Sequence, residues 1–246
     1  MEEKVLSALQ KWNTPTVYNG WEAVTKHSRL SCFNKAPVTQ FTPEKGPMAG
    51  YAVTVVIEPG EKSHTKNLNA WDEYRKYVTS IKGPKIVVVQ DLDSPNIAGA
   101  FWGEVNTNIH LSLGCVGTIT DGGLRDIDEI RSTPFNAVGK ALCVGHAYSY
   151  PVRWGCDVEV FGTTVHPGQL VHCDQHGFLA IPPEDQDKLL EAVEYLDFLE
   201  RSTVIAAALG SRGKESEQVL NEVSRADREY RCQYSERFVS KTSDTL

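Results

Sequence analysis

Residues 86–89 of this 246-residue chain read Ile-Val-Val-Val, at the centre of "PKIVVVQDLD". A strand with one face in water alternates apolar and polar residues. A continuous β-branched run belongs instead to a strand covered on both sides, as parallel strands in α/β domains are. The neighbouring segments keep to that plan. "GYAVTVVIEPG" places Val53, Val55 and Ile57 on one face of a strand that ends at Pro59-Gly60. "NLNAWDEYRKYVTSI" spaces Leu68, Trp71, Tyr74 and Val78 as a helix with one apolar face. "GEVNTNIHLSLG" predicts a helix from about Glu104, with Ile109 and Leu113 four apart and Gly114 as its stop. "CVGTITDGG" is a second buried strand, Val116 to Ile119, halted by a Gly-Gly turn, and "LRDIDEIRST" is a short helix or turn. "PFNAVGKALCVG" is a further strand. This order of strands and helices predicts a parallel α/β core.

The pattern changes after residue 150. Val158, Val160, Val165, Leu170, Val171, Leu179 and Ile181 mark short strands, read as antiparallel hairpins joined at Pro167-Gly168 and His176-Gly177. From Glu184 the chain turns helical, with one stripe of Leu189, Val193, Leu196 and Leu199 and a second of Leu220, Val223 and Tyr230. Residues 4–11 predict a short helix stopped near "NTPT", and "SKTSDTL" at 240–246 predicts a frayed end. The reading is an α/β domain over residues 1–185 followed by a helical extension over 186–246.

Charge narrows the partners. A net charge of −7, with no run of Lys and Arg, argues against nucleic acid, which rewards a basic patch through counterion release. No stretch approaches the roughly 18 apolar residues of a membrane span, and the N-terminus lacks the apolar core of a signal peptide. The six cysteines are scattered without a C-x-x-C pair, which predicts reduced, mostly buried thiols and a soluble cytoplasmic protein.

In open α/β sheets, ligands sit beyond the carboxyl ends of the parallel strands. Two loops qualify, "AFWGEVN" and "DGGLRD". The first offers Glu104 at a helix start, where backbone N–H groups favour an anion. The second offers Arg125 beside Asp126. A hard divalent cation uses only one or two protein carboxylates and leaves its other positions to water and substrate. A 2-oxo acid can chelate such an ion, and the ion and an arginine then share the charge of a forming enolate. The plainer reading is that Arg125 pairs with Asp126, Asp128 or Glu129 on a solvated turn. Elsewhere, His166, His172 and His176 with Asp174 between them raise the question of zinc, against which stands the need for three or four convergent ligands. Cys143 and Cys173 have no base at a nucleophile's spacing. His146 faces either the cleft or the core.

Four stretches carry a resemblance: "GYAVTV" at 50–55, "GAFWGE" at 99–104, "GTITDGGLRDIDEI" at 117–130 and "VHPGQLVHCDQHGFLAIP" at 165–182. Together and in this order they resemble the family of regulator of ribonuclease activity A and the 4-hydroxy-4-methyl-2-oxoglutarate aldolases. The resemblance implies a three-layer β/β/α fold of the swivelling type, assembled as a homotrimer or a dimer of trimers with its sites at subunit interfaces. It implies a Mg²⁺- or Mn²⁺-dependent lyase of 2-oxo acids, releasing pyruvate by retro-aldol cleavage or decarboxylating oxaloacetate. By the same resemblance Gly103, Val105 and Asn106 supply backbone amides to the substrate carboxylate and Glu104 positions a water. Arg125 binds the keto or enolate oxygen, Asp126 ligates the metal, and Glu200 matches an acid that approaches the metal from a neighbouring subunit. The family's alternative is a non-catalytic regulator that binds ribonuclease E. This chain departs from the pattern at Asn106, at Gln169 and at Trp102, whose bulk is expected to narrow the site.

Overall fold

The apolar runs form the middle of a mixed nine-stranded sheet. In the computed structural model, which describes residues 3–239, helices α1 (Glu3–Leu9) and α2 (Thr14–Val24) precede strands β1 (Thr39–Gln40) and β2 (Met48–Ile57). Helix α3 (Ala70–Ser80), strands β3 (Lys85–Asp91) and β4 (Ala100–Trp102) and helix α4 (Glu104–Ser112) follow. Then come β5 (Cys115–Leu124), α5 (Ile127–Arg131), β6 (Asn136–Leu142), β7 (Pro151–Trp154), β8 (Val158–Val160) and β9 (Thr163–Val165). Strands β10 (Leu170–Asp174) and β11 (Gly177–Ile181) close the α/β part. Helices α6 (Gln186–Glu200), α7 (Ala206–Gly210) and α8 (Ser216–Tyr234) end the described chain. The frayed end expected at 240–246 lies outside the described residues.

The sheet runs β1-β6-β5-β3-β2-β10-β11. Strands β2, β3, β5 and β6 are mutually parallel and the outer strands antiparallel. Side chains alternate across this sheet, and both faces are buried. Val53, Val55, Ile57, Val87 and Val89 meet Tyr74 and Val78 of α3. Ala52, Val56, Ile86 and Val88 meet Val158, Val160 and Val165 of the β8–β9 hairpin. Helix, sheet and hairpin make the three layers, with the core in two slabs against the parallel strands.

Several local expectations are corrected. Leu68 is exposed, because α3 begins after it and buries Ala70, Tyr74 and Val78. Gly122-Gly123 is no turn: β5 runs through it to Leu124 with a shift in register. Pro167-Gly168 joins strands of different sheets, and the hairpin turn lies at Phe161-Gly162, where both residues have positive φ. Thr14-Pro15 starts a helix rather than stopping one, since a first-turn proline forfeits no helical hydrogen bond. Helix α4 buries Thr107 and His110 in preference to Ile109. In α6 the predicted stripe is buried, but α8 buries only Ala226 and leaves Leu220 exposed. Only Cys115 and Cys173 of the cysteines are buried.

The chain divides into two compact units. One holds the residues up to Pro15 together with His27–Gln186, and the other holds Thr16–Lys26 together with the residues from Asp187. No described helix is long and apolar enough to cross a membrane.

Candidate functional site

Beyond its register shift, β5 delivers Arg125 and Asp126 to the N-terminus of α4. The Arg125 N–H donates to the Trp102 carbonyl at 3.1 Å, tying the end of β5 to β4. Asp126 then takes a left-handed backbone, φ 53° and ψ 46°, a conformation that aspartate tolerates better than most residues. This turn carries both side chains back over Gly103. Asp126 Oδ2 accepts the Glu104 N–H at 3.0 Å and lies 3.6 Å from Arg125 Nε. A Cβ on Gly103 would stand 2.6 Å from Asp126 Oδ2 and 3.1 Å from Arg125 Nε, so only glycine lets the pair lie on the helix start. The φ of Gly103 is extended, and its requirement is one of close approach.

These residues line a cleft of about 230 Å³. Gly103, Val105, Asn106, Arg125 and Asp126 all border it, as does His146. Val105 and Asn106 occupy the first turn of α4, where backbone N–H groups have no acceptor within the helix. Asn106 Nδ2 donates to the Phe101 carbonyl at 2.9 Å and so turns away from ligand duty. Glu104 reaches the site through its N–H, while its side chain is exposed and outside the cleft lining. Glu200 belongs to the second unit, as the last residue of α6, where Asn19 donates to it at 3.5 Å. Burial, then Asp197, pushes the Glu200 carboxyl above its ordinary range.

Trp102 is no obstruction. It is fully buried, with its ring on His110 at 4.8 Å and on Phe135 at 4.9 Å, and forms part of the cleft's foundation. His110 beneath it donates from Nδ1 to the Asn106 carbonyl at 2.8 Å, so Nε2 accepts from the Tyr74 hydroxyl at 2.9 Å. Burial holds this neutral imidazole down at about 4.

Arg125 does pair with Asp126, as the plainer reading has it, but both side chains are about one-third exposed and border a cleft instead of a solvated turn. Asp128 is engaged by Arg131 at 3.9 Å. Among the described residues no group of three or more His, Cys, Asp or Glu is placed to hold a metal. A hard, water-rich cation needs only one carboxylate from the chain, and Asp126 is the donor that fits. The histidines of the β10–β11 region are engaged elsewhere. His172 Nε2 donates to the Leu9 carbonyl at 3.2 Å while Nδ1 accepts from the Thr14 hydroxyl at 2.9 Å. Asp174 accepts N–H groups of Thr14 and His176, and His166 pairs with Asp157 at 2.8 Å.

Two features have no signal strong enough to single them out in the sequence. Trp71 and Arg75 of α3 line the cleft beside Phe101. Below the bulge of β5, the Asp91 N–H donates to Asp121 Oδ1 at 2.8 Å, and Asp91 Oδ2 stands 2.6 Å from where a Cβ on Gly122 would be. Burial pushes Asp91 up to about 7 and Asp121 to about 6.

A three-layer β/β/α domain with an arginine–aspartate pair across a helix start defines the class, and sequence comparison gives the family. The chain belongs to the RraA-like family (Aldolase/RraA), whose model matches residues 14–180. That family includes metal-dependent aldolase/decarboxylase enzymes and non-catalytic RNase E inhibitors. Protein DlpA of Legionella pneumophila is 27% identical over 164 residues, which are 66% of this chain and 26% of DlpA, so the match spans about a quarter of that relative's length. A protein from Pseudomonas syringae pv. tomato superposes with a TM-score of 0.68 at 20% identity, over 89% of this chain and 93% of that one. RraAS2 of Streptomyces coelicolor, described as an unusual member of the RNase ES inhibitor RraA family, superposes with a TM-score of 0.63 at 18% identity, over 82% of this chain and 94% of its own.

Proposed function

We propose that this chain is a divalent-metal-dependent lyase of 2-oxo acids, releasing pyruvate by retro-aldol cleavage or decarboxylating oxaloacetate through the same enolate. The observation that carries the reading is the convergence of Arg125 and Asp126 on the start of α4 across Gly103. A guanidinium and carboxylate set beside first-turn amides favours the enzyme over a regulator that works by surface docking, which does not need that set even where it keeps the pair. The amides of Val105 and Asn106 receive the substrate carboxylate, and Arg125 meets the oxygen on which charge develops. Asp126 is held in place by the Glu104 N–H and is the residue that would hold Mg²⁺ or Mn²⁺. When bound, such an ion supplies Lewis-acid polarisation of the substrate's keto oxygen. The exposed Glu104 carboxylate is the group available to orient a water for proton transfer. Glu200 is proposed to serve a neighbouring copy's site in a homotrimer or a dimer of trimers.

The test is pyruvate release from oxaloacetate and from 4-hydroxy-4-methyl-2-oxoglutarate, with Mg²⁺, with Mn²⁺ and with EDTA. Turnover abolished by EDTA and restored by metal is expected. Its absence with both compounds, in folded protein, would instead support the family's regulatory role.

A further inference from the structure

The cleft carries more positive charge than a pyruvyl group needs. Asp126 is the only carboxylate among its lining residues, and it is matched by Arg125. Arg75 is left in excess. Its closest acid, Asp72, stands 4.0 Å from Nη1 with a side chain that is 76% exposed, a pair of little strength. Its Nε is buried without a hydrogen-bond partner. What positions the guanidinium is aromatic: its carbon lies 5.2 Å from the Trp71 ring centroid, and Trp71 stacks on Phe101 at 5.4 Å and 13°. Arg75 is therefore held in place from α3 while its planar fork of donors is not consumed by an acid, a geometry suited to a carboxylate. A cleft of about 230 Å³ takes a compact acid and not a nucleotide or a polymer segment.

We infer that Arg75 is a specificity-determining residue that binds the second carboxylate of a dicarboxylic 2-oxo acid, with Trp71 as the wall of that subsite. This rests on the lyase reading, which places the pyruvyl end at Arg125. The experiment uses two substrates that differ only in that group: 4-hydroxy-4-methyl-2-oxoglutarate, cleaved to two pyruvates, and 4-hydroxy-4-methyl-2-oxopentanoate, cleaved to pyruvate and acetone. Arg75→Gln should raise KM for the first by about tenfold or more, with kcat within about twofold, and leave the second unchanged. Arg75→Lys, which keeps the charge without the fork, should fall between wild type and Arg75→Gln, and it serves alone if Arg75→Gln does not fold. Equal losses on both substrates, or none on either, overturn the assignment while leaving the lyase reading intact. A parallel titration of tryptophan fluorescence with succinate, butyrate and inorganic phosphate needs no turnover. If the wild type binds succinate better than butyrate and Arg75→Gln abolishes the difference, the subsite stands even where the lyase reading fails. Unchanged succinate binding in the variant, or tighter binding of phosphate than of succinate by the wild type, overturns it.

Discussion

Two polar clusters lie within the same α/β unit and are built on opposite terms. Around His172 every polar group described has a protein partner: Thr14 supplies a hydroxyl and an N–H, Leu9 a carbonyl, and His176 an N–H to Asp174. The cleft is less completely satisfied. Of the five buried side-chain atoms without a hydrogen bond among the described residues, three belong to residues that line it: Arg75 Nε, Trp102 Nε1 and Ser149 Oγ. An unmade buried hydrogen bond costs about 1–3 kcal/mol, so a fold concentrates such groups only where something other than stability sets the sequence. Polarity that is satisfied within the chain holds the fold together, and polarity that is not marks the surface the fold serves.

The sharpest way to break this contrast is to exchange the expected phenotypes. Asp126→Ala should lower kcat/KM by about 10²–10³-fold in a pyruvate-release assay, with a melting temperature within a few degrees of wild type. His172→Ala should do the opposite. Removing a fully buried, doubly bonded ring is expected to cost about 2–4 kcal/mol in denaturant unfolding, with kcat/KM per folded molecule unchanged. If Asp126→Ala destabilised the protein more than His172→Ala did, the roles assigned to the two clusters would be reversed. Gly103→Ala comes next. The new methyl would push Asp126 and Arg125 off the start of α4, and a displacement near 1 Å at a reacting geometry is expected to cost about 10²-fold in rate. Unfolding should change by less than about 1 kcal/mol, because the displaced groups are partly exposed.

Acid should reach a buried histidine of each region over the same window. Burial holds His172 and His110 at about 4, below the ordinary 6.5, so the folded state keeps them neutral where the unfolded chain protonates them. Their contribution is complete above about pH 6.5 and is lost as pH falls toward 4. The urea midpoint should decline across that window, and the decline should be shallower in His172→Asn, which retains one donor and one acceptor but does not titrate.

Much of this architecture is legible in the amino-acid sequence. The unbroken Ile86–Val89 run calls for a strand covered on both sides, and it is the sheet's centre, with α3 on one face and the β8–β9 hairpin on the other. The order of "GE" and "RD" in two loops beyond the parallel strands puts Gly103, Arg125 and Asp126 at one edge, where they meet, although Gly103 follows the short strand β4, whose three residues carry no strand signal of their own. What is illegible depends on contacts between distant residues. Gly122-Gly123 has the composition of a turn, but its small size serves Asp91 and Cys143, which press against it from β3 and from the residue after β6. Arg75 has the pattern of an ordinary surface charge on an amphipathic helix, since only the stacking of Trp71 on Phe101 turns that face toward the cleft. His110 lies on a helix whose periodicity is set by its apolar residues, and its burial is made possible by Tyr74 on another element.

Asp91 tests where the line between the two kinds of polarity falls, with the smallest expected effect. It is buried and its Oδ2 has no partner, like the groups of the cleft, yet it does not line the cleft. Burial, with added repulsion from Asp93 and Asp121, pushes its carboxyl up to about 7, against the Asp93 N–H that favours the anion. A carboxyl raised in the folded state adds stability that is complete below its unfolded value near 3.8 and is lost as pH rises through about 7. Asp91→Asn removes that loss while its side-chain oxygen can still accept the Asp93 N–H. The variant should be more stable than wild type at pH 8 by about 1–2 kcal/mol, by a smaller margin at pH 5, and indistinguishable below about pH 3.8, measured by urea unfolding across that range. Turnover should stay within about twofold. A loss of turnover accompanied by a gain in stability would move Asp91 into the site and make the bulge of β5, and not the lining of the cleft, the boundary of its machinery.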